Sequence, residues 1–340
     1  MVFKSLKMKT IKIVSFLIIL ISLASCGGSV KNTDEKTVQI SLREAWFPWA
    51  GYAGEVYAMK LGKQYDIDFT IAQGAEDIDP IKMVLSGTND FGIASAENLI
   101  LANLKGAGLV SVGILNYKSA TCFLALQNKN VHTLKDFENK TVGVLTATET
   151  ETIYRLLLAR NDIDISKIKE VEAPFDLGTF LSTDAYDIRP AFIYDEPVTL
   201  DLNRVQYTMI KPEDYGVQMI GAVYFTSREL VDNHPEKVQA FVDIIAEGWK
   251  KTLENPTYAI ELLKVYDPTI NEQRELASLE KGLDYFKGEG GKMLFASDSS
   301  WLKLADDLKY LQRIPKDFDV GSCYNNSFIN TYLKDGIKSF

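Results

Sequence analysis

Short runs of apolar residues alternate with amphipathic stretches from residue 38 onward. Val38 to Leu42, Phe91 to Ala94 and Thr141 to Leu145 have the length of buried strands, and each precedes a stretch with helical periodicity. The alternation predicts an α/β fold, and the pattern from Pro235 to Leu311 predicts a run of C-terminal helices. The other predicted strands are Phe69 to Ala72, Leu109 to Leu115, Phe123 to Gln127, Lys169 to Val171, Ala191 to Ile193 and Ala222 to Thr226.

The order of these elements predicts two lobes. Residues 38–121 together with 227–340 form the expected first lobe, and residues 128–220 form the second. Two short segments, 122–127 and 221–226, are the expected crossovers. A chain that leaves a lobe and returns to it makes a two-segment hinge, which suits a cleft that closes on a ligand.

The first 25 residues have the pattern of a lipoprotein signal peptide. Four lysines precede an apolar run from Ile13 to Leu23, which is too short to cross a bilayer as a helix. The run ends in Leu23-Ala24-Ser25-Cys26, which has the form of a lipobox, and residues 26–37 form a polar tether. We therefore expect lipid attachment at Cys26 and an extracytoplasmic protein that meets a bacterial membrane through its anchor alone. An ordinary secretory signal with a chance cysteine is the alternative.

Composition excludes several classes of protein. The 340 residues are 46% hydrophobic and 24% charged, which excludes a disordered chain, a collagen-like fibre and a polytopic membrane protein. The net charge of −9 argues against nucleic acid as a partner. Three cysteines and two histidines show no zinc-ligand spacing, and no phosphate-binding glycine loop occurs, so we predict no metal and no cofactor. Cys122 and Cys323 are either a disulfide or two buried thiols.

An ordered series of segments resembles one known family. The series covers nearly the whole chain after residue 25. It comprises Trp46-Phe47-Pro48, Gly51-Tyr52, Gly87 to Ile93, Leu134 to Phe137, Lys140 to Val144, Tyr194-Asp195-Glu196-Pro197, Asp214-Tyr215-Gly216, His234-Pro235 and Gly248-Trp249. Together these segments resemble the substrate-binding proteins of ABC importers, in the branch that binds the thiamine precursor hydroxymethylpyrimidine and, more distantly, alkanesulfonates.

The resemblance implies a type II periplasmic-binding fold. Such a protein has two α/β lobes, two crossover strands, a ligand cleft between the lobes and C-terminal helices on the first lobe. It captures a small molecule by lobe closure and delivers it to a membrane permease, and we expect it to be a monomer and not an enzyme. Hydroxymethylpyrimidine is the first candidate ligand, with an alkanesulfonate or a riboflavin-like flavin as alternatives, and a sensor role stays open.

Aromatic residues follow the first predicted strand. Trp46, Trp49 and Tyr52 lie where open α/β sheets place ligands, and their rings suit stacking on a flat heterocycle. The alternative is that two of the three belong to the core. The family's tryptophan at this point supports Trp46 as a ligand contact.

Polar residues follow three further strands. Ser95, Glu97 and Asn98 either contact the ligand or, in the case of Ser95, cap a helix. Thr146 and Thr148 precede a helix whose amides suit an anion, although Glu149 and Glu151 would repel one and Glu151 has capping-box spacing from Thr148.

The third set reaches the expected cleft from the second lobe. Tyr194 and Glu196 follow the strand that ends at Ile193, and the Glu196 carboxylate can accept a hydrogen bond from an exocyclic amine. The alternative is that Glu196 has no ligand contact and lies in the first turn of a helix only because the helix dipole stabilises an acidic side chain there. Asp195 replaces the asparagine common in the family motif, which leaves the ligand open.

An enzyme is the competing interpretation, because a fungal relative makes hydroxymethylpyrimidine phosphate on the same fold. That enzyme carries a cysteine-rich motif and an active-site histidine, and this sequence has neither at the matching places. His132 and His234 both lie near predicted helix starts. We therefore predict no catalytic residue.

Overall fold

A computed structural model describes residues 37–337. The predicted signal peptide, Cys26 and the tether up to residue 36 lie outside the described residues. The strands are β1 Val38–Arg43, β2 Ile67–Ala72, β3 Phe91–Ser95, β4 Leu109–Ile114, β5 Thr121–Leu126, β6 Thr141–Val144, β7 Lys169–Glu172, β8 Ile188–Phe192, β9 Tyr207–Ile210 and β10 Ala222–Ser227. The helices are α1 Ala53–Gly62, α2 Pro80–Leu85, α3 Ala96–Leu104, α4 Glu149–Arg160, α5 Leu177–Ser182, α6 Glu196–Leu202, α7 Arg228–Asn233, α8 Pro235–Glu254, α9 Pro256–Tyr266, α10 Glu272–Gly282, α11 Asp298–Tyr310 and α12 Ser327–Asp335.

The strands form two mixed sheets of five strands each, which confirms the predicted α/β class. The first sheet has the order β2-β1-β3-β10-β4, and the second has the order β7-β6-β8-β5-β9. In the first sheet β1 runs parallel to β2 and β3, while β10 is antiparallel to both of its neighbours. In the second sheet β6 runs parallel to β7 and β8, so the carboxyl ends of β6 and β8 lie at the same edge.

The chain passes between the sheets twice. The two strands expected as crossovers each lie within one sheet, because β5 pairs with β8 and β9 while β10 pairs with β3 and β4. The passing segments therefore precede these strands. They are hydrogen-bonded to each other, since the Gly221 amide donates to the Asn116 carbonyl at 3.1 Å and the Ser119 amide donates to the Met219 carbonyl at 2.7 Å. The two connecting segments therefore lie side by side and form a single joint between the sheets.

The long helix α8 covers the first sheet. Its Phe241 ring stacks on Phe91 of β3 with centroids 3.8 Å apart. Its Trp249 is fully buried and donates from Nε1 to the Tyr224 hydroxyl at 2.7 Å, and that hydroxyl donates to Glu55 of α1 at 2.5 Å. Burial raises the pKa of Glu55 to about 8, so this carboxyl group holds its proton at neutral pH. The expected C-terminal helices on the first sheet are present.

Two later helices also contact elements of the second sheet. Ser278 of α10 donates to the carbonyl oxygen of Tyr194, the residue that follows Ile193 after β8, and Arg274 of α10 pairs with Asp195. Asp307 of α11 pairs with Arg160 of α4. No helix within residues 37–337 is long and apolar enough to cross a membrane.

Candidate functional site

Two aromatic rings meet between the connections of the two sheets. Trp49 lies in the turn between β1 and α1, and Tyr194 lies between β8 and α6. Their ring centroids are 5.5 Å apart with an interplanar angle of 27°, and Tyr52 meets Trp49 edge-on at 6.1 Å. The structure therefore brings together three of the predicted site residues. Trp49 and Tyr194 come from segments about 145 residues apart in the sequence.

The Trp49–Tyr194 pair is enclosed by further aromatic rings. Tyr285 and Phe286 contact the Tyr194 ring with centroids at 5.4 and 5.3 Å, and Tyr194 is only 4% exposed. Burial strongly raises the pKa of Tyr194, so its hydroxyl stays neutral. The pair thus offers apolar faces with a neutral hydroxyl at one edge.

Trp46 lies apart from this pair in a second aromatic group. Its ring contacts Phe47 at 5.5 Å and Phe175 at 5.4 Å, and Phe175 follows β7 of the second sheet. Phe47 and Phe175 are each about half exposed. Trp46 therefore also touches a connection of the second sheet, but among rings that reach solvent.

Three buried polar atoms near Tyr194 have no hydrogen-bond partner within the described residues: Trp49 Nε1, Asn116 Nδ2 and Glu149 Oε1. Asn116 and Glu149 both act on the Tyr194 hydroxyl, since the amide lowers its pKa and the carboxyl raises it. Trp49 Nε1 lies beside the Tyr52 hydroxyl without a well-formed bond to it. Buried polar groups are nearly always paired, so three unpaired ones around one aromatic pair indicate a place for a polar ligand.

Glu149 is the titratable group of this cluster. It is the first residue of α4, and burial raises the pKa of its carboxyl from 4.5 to about 7. The nearby Glu97 carboxyl raises the pKa further, while the Ser119 hydroxyl lowers it in part. The group is therefore close to half protonated at neutral pH and can donate or accept.

The threonines before α4 are engaged by protein atoms. The Thr148 hydroxyl donates to the Leu145 carbonyl at 2.6 Å, and the exposed Thr146 hydroxyl donates to Glu172 at 3.0 Å. Glu151 accepts from the amide of Ala147 at 2.8 Å, one residue before the amide that a capping box would use. The structure thus corrects the capping-box prediction by one residue and gives Thr146 and Thr148 internal partners.

Glu196 differs from the sequence expectation of a free carboxylate. Its Oε1 accepts from the Arg189 guanidinium at 2.9 Å, and its Oε2 accepts from the Phe192 amide at 2.9 Å. Arg189 is 1% exposed, so the two groups form a buried ion pair. Burial raises the pKa of Glu196 and Arg189 lowers it. Both oxygens thus have partners, and a ligand amine would have to compete with a buried guanidinium.

Ser95, Glu97 and Asn98 have separate environments around the start of α3. The Ser95 hydroxyl accepts from the Asn98 amide at 3.1 Å, which is the helix-capping alternative, and the Asn98 side chain is exposed. Glu97 is fully buried and accepts from Thr152 of α4 at 2.7 Å and from Arg313 at 3.0 Å. Glu97 therefore links α3 of the first sheet to α4 of the second.

Sequence reasoning missed four polar residues, three around the aromatic pair and one directly after β1. Asn116 and Ser119 lie in the passage after β4, and the criterion of position after a strand could have found Asn116. Glu149 was interpreted only as a charge that repels anions. Glu44, directly after β1, is also fully buried with both carboxylate oxygens unpartnered, and burial beside Glu55 strongly raises its pKa.

The thiols are buried and the imidazoles lie at the surface. Cys122 and Cys323 are free, buried thiols, and burial strongly raises the pKa of Cys122. His132 is exposed beside the turn at Leu134, and the largely exposed His234 lies 3.5 Å from Glu236. The described residues contain no group of three or more potential metal ligands from His, Cys, Asp and Glu.

Two solved structures that are named as binding proteins superpose on this chain. The periplasmic aliphatic sulphonate binding protein of Escherichia coli superposes with a TM-score of 0.68 at 16% identity, covering 84% of this chain and 91% of that one. The ligand-binding component of an ABC-type import system from Staphylococcus aureus gives 0.65 at 14% identity, covering 86% and 98%. The chain has the periplasmic-binding-protein fold, as its resemblance implied.

Two curated relatives share 24% identity with this chain. One is the 4-amino-5-hydroxymethyl-2-methylpyrimidine phosphate synthase of Legionella pneumophila, aligned over 296 residues. The other is the formylaminopyrimidine-binding protein of Halalkalibacterium halodurans, aligned over 302 residues. Each alignment covers 86% of this chain and 92% of the relative.

A family profile covers Tyr194 and most of the chain, beginning one residue after Trp49. The NMT1/THI5-like profile matches residues 50–259, which is more than half of the chain. The match begins after β1, includes β2 to β10 and ends in α9. The chain therefore belongs to the NMT1/THI5-like family.

Proposed function

We propose that this chain is the extracytoplasmic solute-binding protein of an ABC importer, and that it captures a small, flat heterocycle between its two sheets. The observation that carries the proposal is the Trp49–Tyr194 pair, whose rings come from different sheets and are surrounded by unpaired buried polar atoms. A flat ring that enters as the two rings move apart from this contact would keep its faces on aromatic surfaces and give those polar atoms partners.

The joint between the sheets supports capture by closure. The segments around Asn116 and Gly221 are hydrogen-bonded to each other, so a rotation there would separate Trp49 from Tyr194. We propose that residues 38–121 with 227–340 move as one lobe and residues 128–220 as the other, with β10 moving with the first lobe and β5 with the second, as their strand pairing requires. Ligand between the rings would favour the closed state, because only that state offers both faces.

An aminopyrimidine is the ligand class that we favour. The Halalkalibacterium relative is named as a formylaminopyrimidine-binding protein, and a six-membered heterocycle suits the aromatic pair. Alkanesulfonates fit less well, because Glu149 and Glu151 place carboxyl groups at the start of α4, where an anion would otherwise bind. A flavin is a further alternative, and a sensor would use the same cleft.

Delivery to a membrane permease is the expected fate of the ligand. We propose cleavage before Cys26, with a diacylglycerol anchor on that cysteine. The anchor would hold a monomeric protein close to its permease. Incorporation of labelled palmitate that is lost in Cys26→Ala supports the anchor, and incorporation that persists in this variant contradicts it.

Ligand-dependent thermal stability tests the binding function. Hydroxymethylpyrimidine, riboflavin and an alkanesulfonate are added separately to the purified protein at increasing concentration. A ligand at 100 times its Kd adds about 2.7 kcal/mol to the free energy of unfolding. Trp49→Leu should abolish the shift, while the matched control Phe47→Leu, at an exposed ring, should retain it. No shift with any compound, or an unchanged shift in Trp49→Leu, contradicts the proposal.

A synthase is the second candidate function, because the Legionella relative is named as one. Mass spectrometry after prolonged incubation distinguishes the two functions. A binding protein returns each compound unchanged, whereas a chemically altered compound formed in proportion to protein concentration would favour an enzyme.

A further inference from the structure

The unpaired atoms around Tyr194 include both hydrogen-bond donors and an acceptor. Trp49 Nε1 and Asn116 Nδ2 can only donate, whereas Glu149 Oε1 accepts when the carboxyl group is ionised. Asn116 is 6% exposed, so bulk water does not satisfy its amide. The site therefore selects a molecule that presents acceptors to two donors and a donor to one carboxyl group.

We propose that Glu149, Asn116 and Trp49 determine specificity by reading an amidine-type edge, which is a ring nitrogen beside an exocyclic amine, and that Glu149 and the ring nitrogen share one proton in the complex. This inference rests on the proposed binding function and goes beyond it by naming the recognised group. The exocyclic amine donates to Glu149, the second ring nitrogen accepts from one of the two donors Asn116 and Trp49, and a further acceptor of the ligand, such as its hydroxyl oxygen, accepts from the other.

Glu149 is better suited to this role than the other buried carboxyl groups near it. Glu196 is already paired with Arg189 at 2.9 Å. Glu97 has Arg313 at 3.0 Å and Thr152 on Oε1, so a cation already balances its charge although its Oε2 lacks a partner. Among the described residues, no lysine, arginine or histidine side chain forms a salt bridge with Glu149. Its first position in α4 gives it the favourable end of a helix dipole in place of a cation.

The shared proton makes binding depend on pH. The groups that face Glu149 are Ser119, Glu97 and Tyr194, and burial raises the pKa of Glu149 to about 7. Above that pH the free carboxyl and the free aminopyrimidine are both deprotonated, so the complex must take up one proton. Affinity should then fall about tenfold for each pH unit, which is the linkage expected for one proton.

The experiment measures Kd by isothermal titration from pH 6 to pH 9. The ligands are hydroxymethylpyrimidine and its 4-oxo counterpart, in which the amine is replaced by a carbonyl. The wild type should prefer the amine at least tenfold and lose affinity above pH 7. Glu149→Gln should weaken binding of the amine at least tenfold at pH 6 and flatten the pH profile. Trp49→Phe keeps the ring but removes its donor, and should weaken binding while leaving the pH slope intact.

Glu151→Gln is the matched control, since it changes a carboxyl group two residues away that is engaged by Ala147 and Arg155. It should keep both the affinity and the pH slope. Tight binding of hydroxymethylpyrimidine with an unchanged pH profile in Glu149→Gln overturns this inference but leaves the binding function in place. Preference for the 4-oxo compound or for an alkanesulfonate also overturns it. Absence of binding by every compound overturns the proposed function, and the inference with it.

Discussion

Two turns of the second sheet have the same local structure, but the carboxyl group in one turn has a cationic partner and the carboxyl group in the other has none. β6 and β8 are parallel neighbours, each is followed by a helix, and each helix begins with a glutamate, Glu149 in α4 and Glu196 in α6. Glu196 has a guanidinium and a backbone amide on its two oxygens. Glu149 has a buried oxygen without a partner.

The difference shows that position at a strand end does not by itself make a ligand contact. Both carboxyl groups are placed equally well by the sheet and the helix dipole. A carboxylate that is already neutralised by a buried arginine contributes to folding, whereas one left unpaired costs folding energy and gains a partner only on binding. The two glutamates therefore differ in whether the surrounding protein provides hydrogen-bond and charge partners for their carboxyl oxygens.

The largest expected effect comes from removing the partner of Glu196. Arg189→Met leaves a buried carboxylate without its cation, and should lower the free energy of unfolding by about 3–5 kcal/mol. Urea denaturation measures the loss. Arg155→Met is the control, since Arg155 pairs with Glu151 and Glu170 near the surface, and it should cost below about 1 kcal/mol. Equal losses in the two variants would contradict the contrast between the turns.

The unpaired Glu149 should cost stability as the pH rises. Its folded pKa of about 7 lies above the ordinary 4.5, so the folded protein holds a proton that the unfolded chain releases. Stability from this group is full below about pH 4.5 and is lost as pH rises through 7, with a limit of roughly 3 kcal/mol. Glu149→Gln should therefore gain stability relative to wild type between pH 5 and pH 8 in urea denaturation. Parallel curves for the two proteins would contradict an unpaired carboxyl group at this site.

Glu97 is an intermediate case, because its partners lie on different elements. Thr152→Val keeps the side-chain shape but removes the hydroxyl that donates to Glu97, and should cost about 1–2 kcal/mol. Thermal unfolding measures the change. Thr257→Val, which removes an exposed hydroxyl, should cost below about 0.5 kcal/mol. A loss in Thr152→Val as small as in this control would mean that the contact between α3 and α4 adds nothing to stability.

The alternation of strands and helices was readable from the sequence, but the pairing of strands was not. Predicted strands such as Val38 to Leu42 match observed ones closely, because buried strands require apolar runs. The edge strand β9 was missed, since its residues Tyr207 to Met209 are only partly buried and leave a weak pattern. The sequence interpretation assigned the crossovers to residues 122–127 and 221–226, whereas the chain passes between the sheets just before β5 and β10. The pairing of strands that are distant in the sequence decides where each sheet begins.

The candidate site was predicted in part for the same reason. Trp49, Tyr52 and Tyr194 follow predicted strands, and aromatic residues there are visible in the sequence. Asn116 and Glu149 became candidates only when their buried atoms lacked partners. Absence of a partner is a property of the folded neighbourhood and has no sequence pattern.

The sequence by itself determined the α/β class, the aromatic residues after β1 and β8, and a glutamate at the start of both α4 and α6. These features depend on local periodicity and on residues adjacent along the chain. Only the tertiary structure decided that Trp49 meets Tyr194, that Arg189 neutralises Glu196, and that Glu149 keeps one buried oxygen without a partner. The burial of a side chain and the hydrogen-bond partners around it depend on segments that are far apart in the sequence. Only the fold determines which of these segments come into contact.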